Sequence, residues 1–151
     1  MEFGKKSRLA GMAMIGVLLI SCAPKQAGIP SFQTALNTHL ATIADRDLQA
    51  YTQTLTKGDG LPLVFPDGGY LATKSDVLAM HADWFADKNW RMTFEPVSQI
   101  VGKEVAVALI KTSYRDTPDG TPRYAFLTLS FQLQEGEWRL VLDQNTRIIQ
   151  N

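Results

Sequence analysis

The sequence predicts an α+β domain, because helical segments come first in the chain and long strands follow. From Phe32 to Leu55, apolar residues recur at intervals of three and four, as they do on one face of a helix. Arg123–Leu133 instead alternates apolar and polar side chains, which is the period of a strand with one buried face. Two long strands precede it and another follows across a Glu135-Gly136 turn, so we expect an antiparallel sheet.

Length and composition fit one compact domain. The chain has 151 residues, of which 45% are hydrophobic, a normal fraction for a globular protein. Its 15 basic and 15 acidic side chains balance. Residues 1–21 hold three of the basic and one of the acidic side chains, so the rest of the chain has 12 against 14. This balance gives no indication of nucleic-acid binding.

The N-terminal segment has the features of a secretory signal peptide in their usual order. Lys5, Lys6 and Arg8 form a basic start, and Leu9–Ile20 is an apolar run too short to span a bilayer comfortably. The end of this run and the two residues after it, Leu19-Ile20-Ser21-Cys22, resemble the bacterial lipobox. An ordinary signal peptide with a chance cysteine is the alternative.

The lipobox resemblance implies a lipid anchor. In that family the cysteine thiol receives a diacylglyceryl group, the peptide is cut before the cysteine, and the new N-terminus is acylated, for example with palmitate. Several acyl chains anchor a protein stably where a single chain does not. We therefore expect residues 1–21 to be a lipoprotein signal peptide and Cys22 to be the lipidation site, with membrane lipid as a partner. Ala23 in place of Asp favours the outer membrane, facing the periplasm, within a bacterial cell envelope.

After the cysteine, residues 22–30 are rich in Pro, Gly and small side chains and are predicted to form a tether to a domain at residues 31–151. The first predicted helix begins at Ser31, a suitable N-cap, and runs for about seven turns towards Gly58. Asp47 lies almost in its apolar stripe, so its carboxylate is expected to face inward and to need a partner. The second begins with a capping box at Thr73 and ends near Asp87; its apolar face comprises Val77, Leu78, His81, Trp84 and Phe85.

Short strands lie between the helices and long strands follow them. Leu61–Phe65 is predicted as a short strand that ends in a Pro-Asp-Gly-Gly turn, with a brief returning strand after it. A long strand begins at Trp90, and Pro96 predicts a bulge within it. Gly102-Lys103 is the predicted turn into the strand Val105–Tyr114.

Four stretches in this order of elements carry a family resemblance: Arg46-Asp47-x-x-x-Tyr51, Leu63–Gly68, Trp84-Phe85 and Gly136–Thr146. From Phe32 to Ile149 the chain resembles the NTF2-like superfamily, in its SnoaL-like and ketosteroid-isomerase-like branch. The resemblance implies a cone-shaped fold, in which a curved antiparallel sheet wraps around a long N-terminal helix and leaves a pocket at its open end. Because the superfamily includes isomerases, cyclases, dehydratases and binding modules, it does not name a reaction.

The resemblance also implies a test for isomerase chemistry. Ketosteroid isomerases need a carboxylate base and, as oxyanion donors, a tyrosine and a protonated carboxylic acid. Asp67 is near the position of the base but lies in a turn, where Asp commonly stabilises the turn itself. The strand that would carry the acid donor, Tyr124–Leu133, has no Asp or Glu, so the isomerase set is incomplete.

Two residues are candidates for a general base, and each also has a structural interpretation. His81 is a hydrogen-bonded core histidine or, if it lines a cavity, the best candidate for the base. Asp143 shares one face of the last strand with Asn145. Either Asp143 accepts hydrogen bonds from helix ends, Arg46 or loop amides, which we favour, or it points into the cone with Asn145 as an acid–base or ligand-orienting pair.

The predicted ligand-binding residues suit an apolar or aromatic ligand, although such residues also fill cores. They are Tyr51, Tyr70, Trp84, Trp90, Met92, Tyr114 and Asn145. No metal or other cofactor is expected, because His39 and His81 belong to no HxxxH or HxH pattern and there is no glycine-rich phosphate loop.

Three functions stay open. The leading hypothesis is an envelope lipoprotein whose domain binds a small apolar molecule or an envelope partner without catalysis. The alternative is an enzyme of the isomerase or cyclase kind, with His81 or Asp143 as the base and Tyr51 or Tyr114 as a donor. The third is a homodimeric interaction module that uses the outer face of the sheet.

Overall fold

The computed structural model describes residues 30–149, together with Met1. The predicted signal peptide, the lipidation site at Cys22 and most of the tether lie outside the described residues, so those assignments stay predictions. Within the part of the chain that is described, no helix is long and apolar enough to cross a membrane.

Three helices and six strands make up the described chain, and they confirm the α+β prediction. The helices are α1 (Phe32–Asp45), α2 (Leu48–Thr54) and α3 (Lys74–Ala86). The strands are β1 (Gly60–Val64), β2 (Tyr70–Thr73), β3 (Arg91–Val101), β4 (Val105–Arg115), β5 (Arg123–Gln134) and β6 (Glu137–Arg147).

The strands form one curved, open sheet in the order β2-β1-β6-β5-β4-β3. Its four long strands pair antiparallel, as predicted, because each follows its neighbour through a short connection. The exception to antiparallel pairing is β1, which runs parallel to β6 with Leu63 opposite Asp143 and Val64 opposite Gln144. This pairing joins the short β1–β2 ribbon to the long sheet.

The single long first helix that we predicted is broken into α1 and α2. Arg46 adopts the left-handed conformation, with φ of 56°, and ends α1. Asp47 then caps α2, since its carboxylate accepts a hydrogen bond from the backbone N–H of Ala50 at 2.9 Å. The prediction of an inward-facing Asp47 was therefore wrong, because the side chain is exposed and serves the helix end.

The predicted turns and the bulge are present, with one shift. Glu135 and Gly136, with φ of 50° and 84°, form the two-residue turn between β5 and β6. The register of β3 against β4 is interrupted between Pro96 and Ser98, as the proline predicted. The β3–β4 turn is centred on Lys103-Glu104, one residue later than predicted, because the N–H of Gly102 donates to the Val105 carbonyl at 2.8 Å.

The hydrophobic core lies between the helices and the inner face of the sheet. At one end it is filled by aromatic rings, since Phe32 of α1 meets Phe131 and Trp138 edge to face, at centroid distances of 5.4 and 5.5 Å. At the opposite end the sheet and the helices diverge around a cavity. Around the β3–β4 turn, Ile100 and Val105 are exposed apolar side chains, and the homodimer through the sheet stays a prediction.

Candidate functional site

A cavity of about 630 Å³ lies between the inner face of the sheet, the end of α1, α3 and the β1–β2 connection. This is within the range of small-molecule sites in proteins. Most of its wall is apolar and comes from Ile43, Leu63, Phe65, Met80, Trp84, Met92, Tyr114 and Leu127. The polar side chains that line it, besides Tyr114, are His81, Thr112, Arg123, Tyr124, Asp143, Asn145 and Arg147.

Strand β6 supplies three of these polar groups. Asp143, Asn145 and Arg147 are two residues apart along the strand, so all three side chains point into the cavity. Their exposure increases in that order: Asp143 is 5% exposed, Asn145 is half-buried and Arg147 is exposed. Asp143 therefore marks the inner end of the cavity and Arg147 its mouth.

Asp143 and Asn145 form a hydrogen-bonded pair at the inner end. The Asn145 side-chain amide donates to Asp143 Oδ1 at 3.0 Å and to the carbonyl of Val64 at 3.2 Å. Burial raises the pKa of Asp143 to about 7, and the hydrogen bond from Asn145 opposes that shift. A carboxyl group with this pKa changes its protonation state near neutral pH, whereas an exposed Asp is already ionised there.

The interpretation that we favoured for Asp143 was wrong. Its described hydrogen bond comes from Asn145, and the carboxyl faces the cavity. Arg46, proposed as a partner, instead donates to the Trp90 carbonyl and stacks its guanidinium 3.9 Å from the centroid of that indole. Arg46 is the C-cap of α1, and its side chain packs on Trp90 instead of Asp143.

His81 combines both interpretations given from the sequence. It is 2% exposed, lines the cavity, and lies 2.8 Å through Nδ1 from the Val77 carbonyl, one turn earlier in α3. Because a carbonyl only accepts, Nδ1 carries the proton and Nε2 is an acceptor. Burial lowers the pKa of His81 to about 4, although the hydrogen bond to Val77 opposes this, so the ring is neutral at physiological pH.

Tyr51 lies directly behind His81. The two rings stack at a centroid distance of 4.2 Å and an interplanar angle of 23°. The Tyr51 hydroxyl is buried and has no hydrogen-bond partner among residues 30–149. Burial raises its pKa well above the usual value of about 10, and the nearby charge of Asp143 raises it further.

His39, on α1, also packs against Tyr51, with the two ring centroids 5.3 Å apart and the ring planes tilted by 36°. The Thr54 hydroxyl donates to the Tyr51 carbonyl at 2.7 Å and therefore accepts from His39 Nδ1 at 2.8 Å. Nε2 is then an acceptor, and it has no partner within the described part of the chain. Burial, followed by the proximity of His81, lowers the pKa of His39 to about 3.

The predicted ligand-binding residues divide into two sets. Those that line the cavity are Trp84, Met92, Tyr114 and Asn145. Three do not: Tyr51 and Trp90 are fully buried behind the wall, and Tyr70 is 68% exposed on β2. Trp90 supports the wall, because its ring stacks on that of Trp84 at 4.5 Å and its indole N–H donates to the Trp84 carbonyl at 2.8 Å.

Several residues that line the cavity were not predicted from the sequence. Thr112 and Leu127 occupy inward positions of β4 and β5, and the alternation of those strands was a signal that could have identified them. Arg123 stands at the mouth, held by two hydrogen bonds to Asp116 at 2.6 and 2.8 Å. Among residues 30–149, no group of three or more His, Cys, Asp or Glu side chains could hold a metal ion.

Comparison with solved structures shows which proteins share this fold. A candidate calcium/calmodulin-dependent protein kinase type II association domain from Thiobacillus denitrificans superimposes with a TM-score of 0.71, at 17% identity, over 82% of this chain and 100% of its own. A candidate dehydratase of the NTF2-like family from Streptomyces avermitilis gives 0.67, at 14% identity, over 78% and 94%. A ketosteroid isomerase-like protein from Erwinia carotovora atroseptica gives 0.64, at 17% identity, over 78% and 94%.

Comparison at the level of sequence identifies the family. No curated protein matches the chain significantly. The family model described as a SnoaL-like domain matches residues 33–144, which run from α1 into β6 and include Asp143 and most of the cavity lining, whereas Asn145 and Arg147 lie just beyond the match. The chain therefore belongs to the SnoaL-like domain family and has its NTF2-like fold.

Proposed function

We propose that the domain binds a small, largely apolar molecule in the cavity, with a polar group of that molecule held at Asp143 and Asn145. The observation that carries the proposal is a hydrogen-bonded polar pair, the buried Asp143 and the half-buried Asn145, at the inner end of a cavity whose wall is mostly apolar. Apolar walls supply affinity, and a few fixed polar groups supply orientation. When Asp143 is ionised, its carboxylate accepts a hydrogen bond from a hydroxyl or amide group of the ligand. When Asp143 is protonated, its carboxyl O–H donates a hydrogen bond to a carbonyl group of the ligand.

The wall itself supports a binding role. Trp84 and Tyr114 lie in contact across it, with the Trp84 indole N–H 3.4 Å from the Tyr114 hydroxyl oxygen. Trp90 stacks behind Trp84, so the indole surface that faces the cavity is fixed in place. Rigid aromatic surfaces reduce the entropy that binding would otherwise cost.

A matched pair of variants on β5 tests the proposal. Ala125 lines the cavity, whereas its neighbour Phe126 points to the opposite face of the sheet. Ala125→Trp should fill the mouth and abolish binding of apolar probes, and Phe126→Trp should leave binding unchanged. Native mass spectrometry of the protein purified from its own host would show whether wild-type protein retains a small molecule that the Ala125→Trp variant lacks. Equal retention by wild type and both variants would rule the cavity out as the binding site.

A second candidate function is proton transfer on the bound molecule, with Asp143 as general base. The observation that favours it is the raised pKa of Asp143, since a base that titrates near the working pH is the most effective. His81, neutral and with Nε2 as an acceptor, is the alternative base. Turnover of an enolisable ketone that is lost in Asp143→Asn but kept in His81→Gln would support Asp143. Binding of the ketone without turnover would rule out proton transfer and would keep only the binding function.

We also propose that Cys22 is acylated and holds the domain at the bacterial outer membrane, facing the periplasm. The lipobox-like sequence Leu19-Ile20-Ser21-Cys22 supports this proposal. Growth with an alkyne-bearing palmitate analogue should label the wild-type protein, and Cys22→Ala should abolish the label and release the domain into the soluble fraction. A labelled Cys22→Ala variant would contradict the proposal.

A further inference from the structure

The cavity has its charged groups at opposite ends. Among the described residues that line it, Asp143 is the acidic one and lies at the inner end, whereas Arg123 and Arg147 are the basic ones and lie at the mouth. Asp143 and Arg147 are four residues apart on the same strand, so their Cα atoms are separated by about 13 Å at the usual rise of a strand. An occupant would therefore meet positive charge at one end of an apolar passage and a carboxyl group at the other.

The two arginines differ in what holds them. The guanidinium of Arg123 donates to both carboxylate oxygens of Asp116, so its charge is already balanced. Arg147 forms no ion pair and no side-chain hydrogen bond with any residue between 30 and 149. The charge at the mouth that is available to a ligand is thus that of Arg147.

We propose that the bound molecule is an apolar carboxylic acid, whose carboxylate pairs with Arg147 at the mouth and whose apolar body extends inward towards Asp143. This inference rests on the binding function proposed above and specifies its ligand class. A guanidinium matches a carboxylate in shape and forms two parallel hydrogen bonds with it. One unbalanced cation at the mouth suits a single negative charge.

The inner end sets the orientation of the acid. A ligand carboxylate placed beside Asp143 would share a buried position with a second carboxyl group, so two like charges would lie together unless one of them took up a proton, and either outcome is unfavourable. Turned outward, the acid places its charge in partly hydrated surroundings beside Arg147. Its apolar body then meets Trp84, Leu127 and Leu63. A hydroxyl or carbonyl group far from the carboxylate would reach the pair Asp143–Asn145.

Matched probes test the ligand class. Decanoic acid and methyl decanoate share the same chain, and the ester lacks the charge. Binding is followed by tryptophan fluorescence, to which Trp84 in the cavity wall contributes together with Trp90 and Trp138. The measurement is made near neutral pH and at low salt, because salt screens exposed charge pairs. We expect wild-type protein to bind the acid about fivefold more tightly than the ester, the upper range for an exposed ion pair.

Variants assign that preference to one residue. Arg147→Gln should weaken binding of the acid about fivefold, to the level of the ester, and should leave the ester unaffected. Arg115→Gln is the control, because Arg115 is an exposed arginine at the end of β4 that does not line the cavity. This control removes the same charge and should keep the preference for the acid.

The outcomes separate this inference from the function on which it rests. If wild type binds acid and ester equally, or if Arg147→Gln weakens both to the same extent, the carboxylic-acid class is wrong while binding in the cavity stands. If wild-type protein binds neither probe and retains no molecule from its host, the binding function fails, and the inference fails with it.

Discussion

The side-chain amide of Asn145 lies 3.0 Å from Asp143 Oδ1, two residues earlier on the same strand and at the buried end of the cavity. Both side chains point inward because β6 alternates, and the amide also bonds the Val64 carbonyl of β1. The pair is thus fixed by backbone geometry on two strands.

Replacing Asp143 with Asn should stabilise the protein at neutral pH. Burial raises the pKa of Asp143 to about 7 from its ordinary value of 3.8, so between these two pH values the unfolded chain releases a proton that the folded chain retains. Stability that wild type has below pH 4 is therefore lost as the pH rises to 7. Asp143→Asn should avoid this loss, a difference of about 4 kcal/mol above pH 7. Urea unfolding of both proteins between pH 4 and 8 measures it.

The sign of that result is specific to Asp143, because the buried histidines act in the opposite direction. The pKa values of His39 and His81 are lowered to about 3 and about 4, so each costs stability as the pH falls below 6.5, where the unfolded chain takes up protons. Wild type and Asp143→Asn share this loss, and the comparison cancels it. A variant that is no more stable than wild type at pH 7.5 would show that the carboxyl is ionised without cost.

Removing the Asn145 amide should destabilise the protein and raise the pKa of Asp143 further. Asn145→Leu removes a donor from Asp143 Oδ1 and from the carbonyl of Val64, and we expect a loss of about 1–3 kcal/mol. Gln144→Leu is the control, since Gln144 is exposed and points to the other face of β6. Urea unfolding measures stability, and carbon NMR of the carboxyl group measures its pKa. Equal effects of the two variants would contradict the structural role of the amide.

Tyr51→Phe should leave stability unchanged or increase it by about 1 kcal/mol. The hydroxyl of Tyr51 is buried and has no partner among residues 30–149, so removing it relieves an unpaid desolvation cost. The stacking on His81 is kept, because the ring remains. Thermal unfolding compares this variant with Tyr51→Leu, which loses the ring and should be destabilised by several kcal/mol. A clear loss in Tyr51→Phe would indicate that the hydroxyl is hydrogen-bonded in solution.

Asp47→Ala should cost about 1 kcal/mol of stability, because Asp47 caps α2 through the N–H of Ala50. Asp45→Ala, two residues earlier, provides the comparison. Asp45 is exposed in the last turn of α1, where a negative charge opposes the helix dipole, so its removal should be neutral or slightly stabilising. Urea unfolding at neutral pH distinguishes the two. Equal destabilisation would mean that the cap contributes nothing specific.

The long strands could be predicted because their signals are local. Alternation in Arg123–Leu133, the Glu135-Gly136 turn and the bulge at Pro96 each depend on neighbouring residues, and the structure has all three. The break of the first helix was missed because the apolar period of three and four continues across Arg46 and Asp47. An Asp inside a helical pattern and an Asp at a new helix start look alike until the fold places them.

The candidate site was predicted in part. Alternation placed Asp143 and Asn145 on one face, and the inward direction of that face depends on which side the helices cover. The parallel pairing of β1 with β6 has no local signal, so neither the bond from Asn145 to Val64 nor the place of Leu63 in the wall could be predicted. Tyr51 and Trp90 are of residue types that often bind ligands, but both are buried behind the cavity wall and support it.

The parallel junction of β1 and β6 links the cavity to the margin of the sheet. The side-chain amide of Asn145 donates both to the Val64 carbonyl and to Asp143, so a bound molecule that displaced this amide would release the Val64 carbonyl and loosen the β1–β2 ribbon. Occupancy of the cavity would thereby be transmitted to the edge of the sheet. Hydrogen exchange of the β1 backbone amides would then record whether the chamber is full or empty.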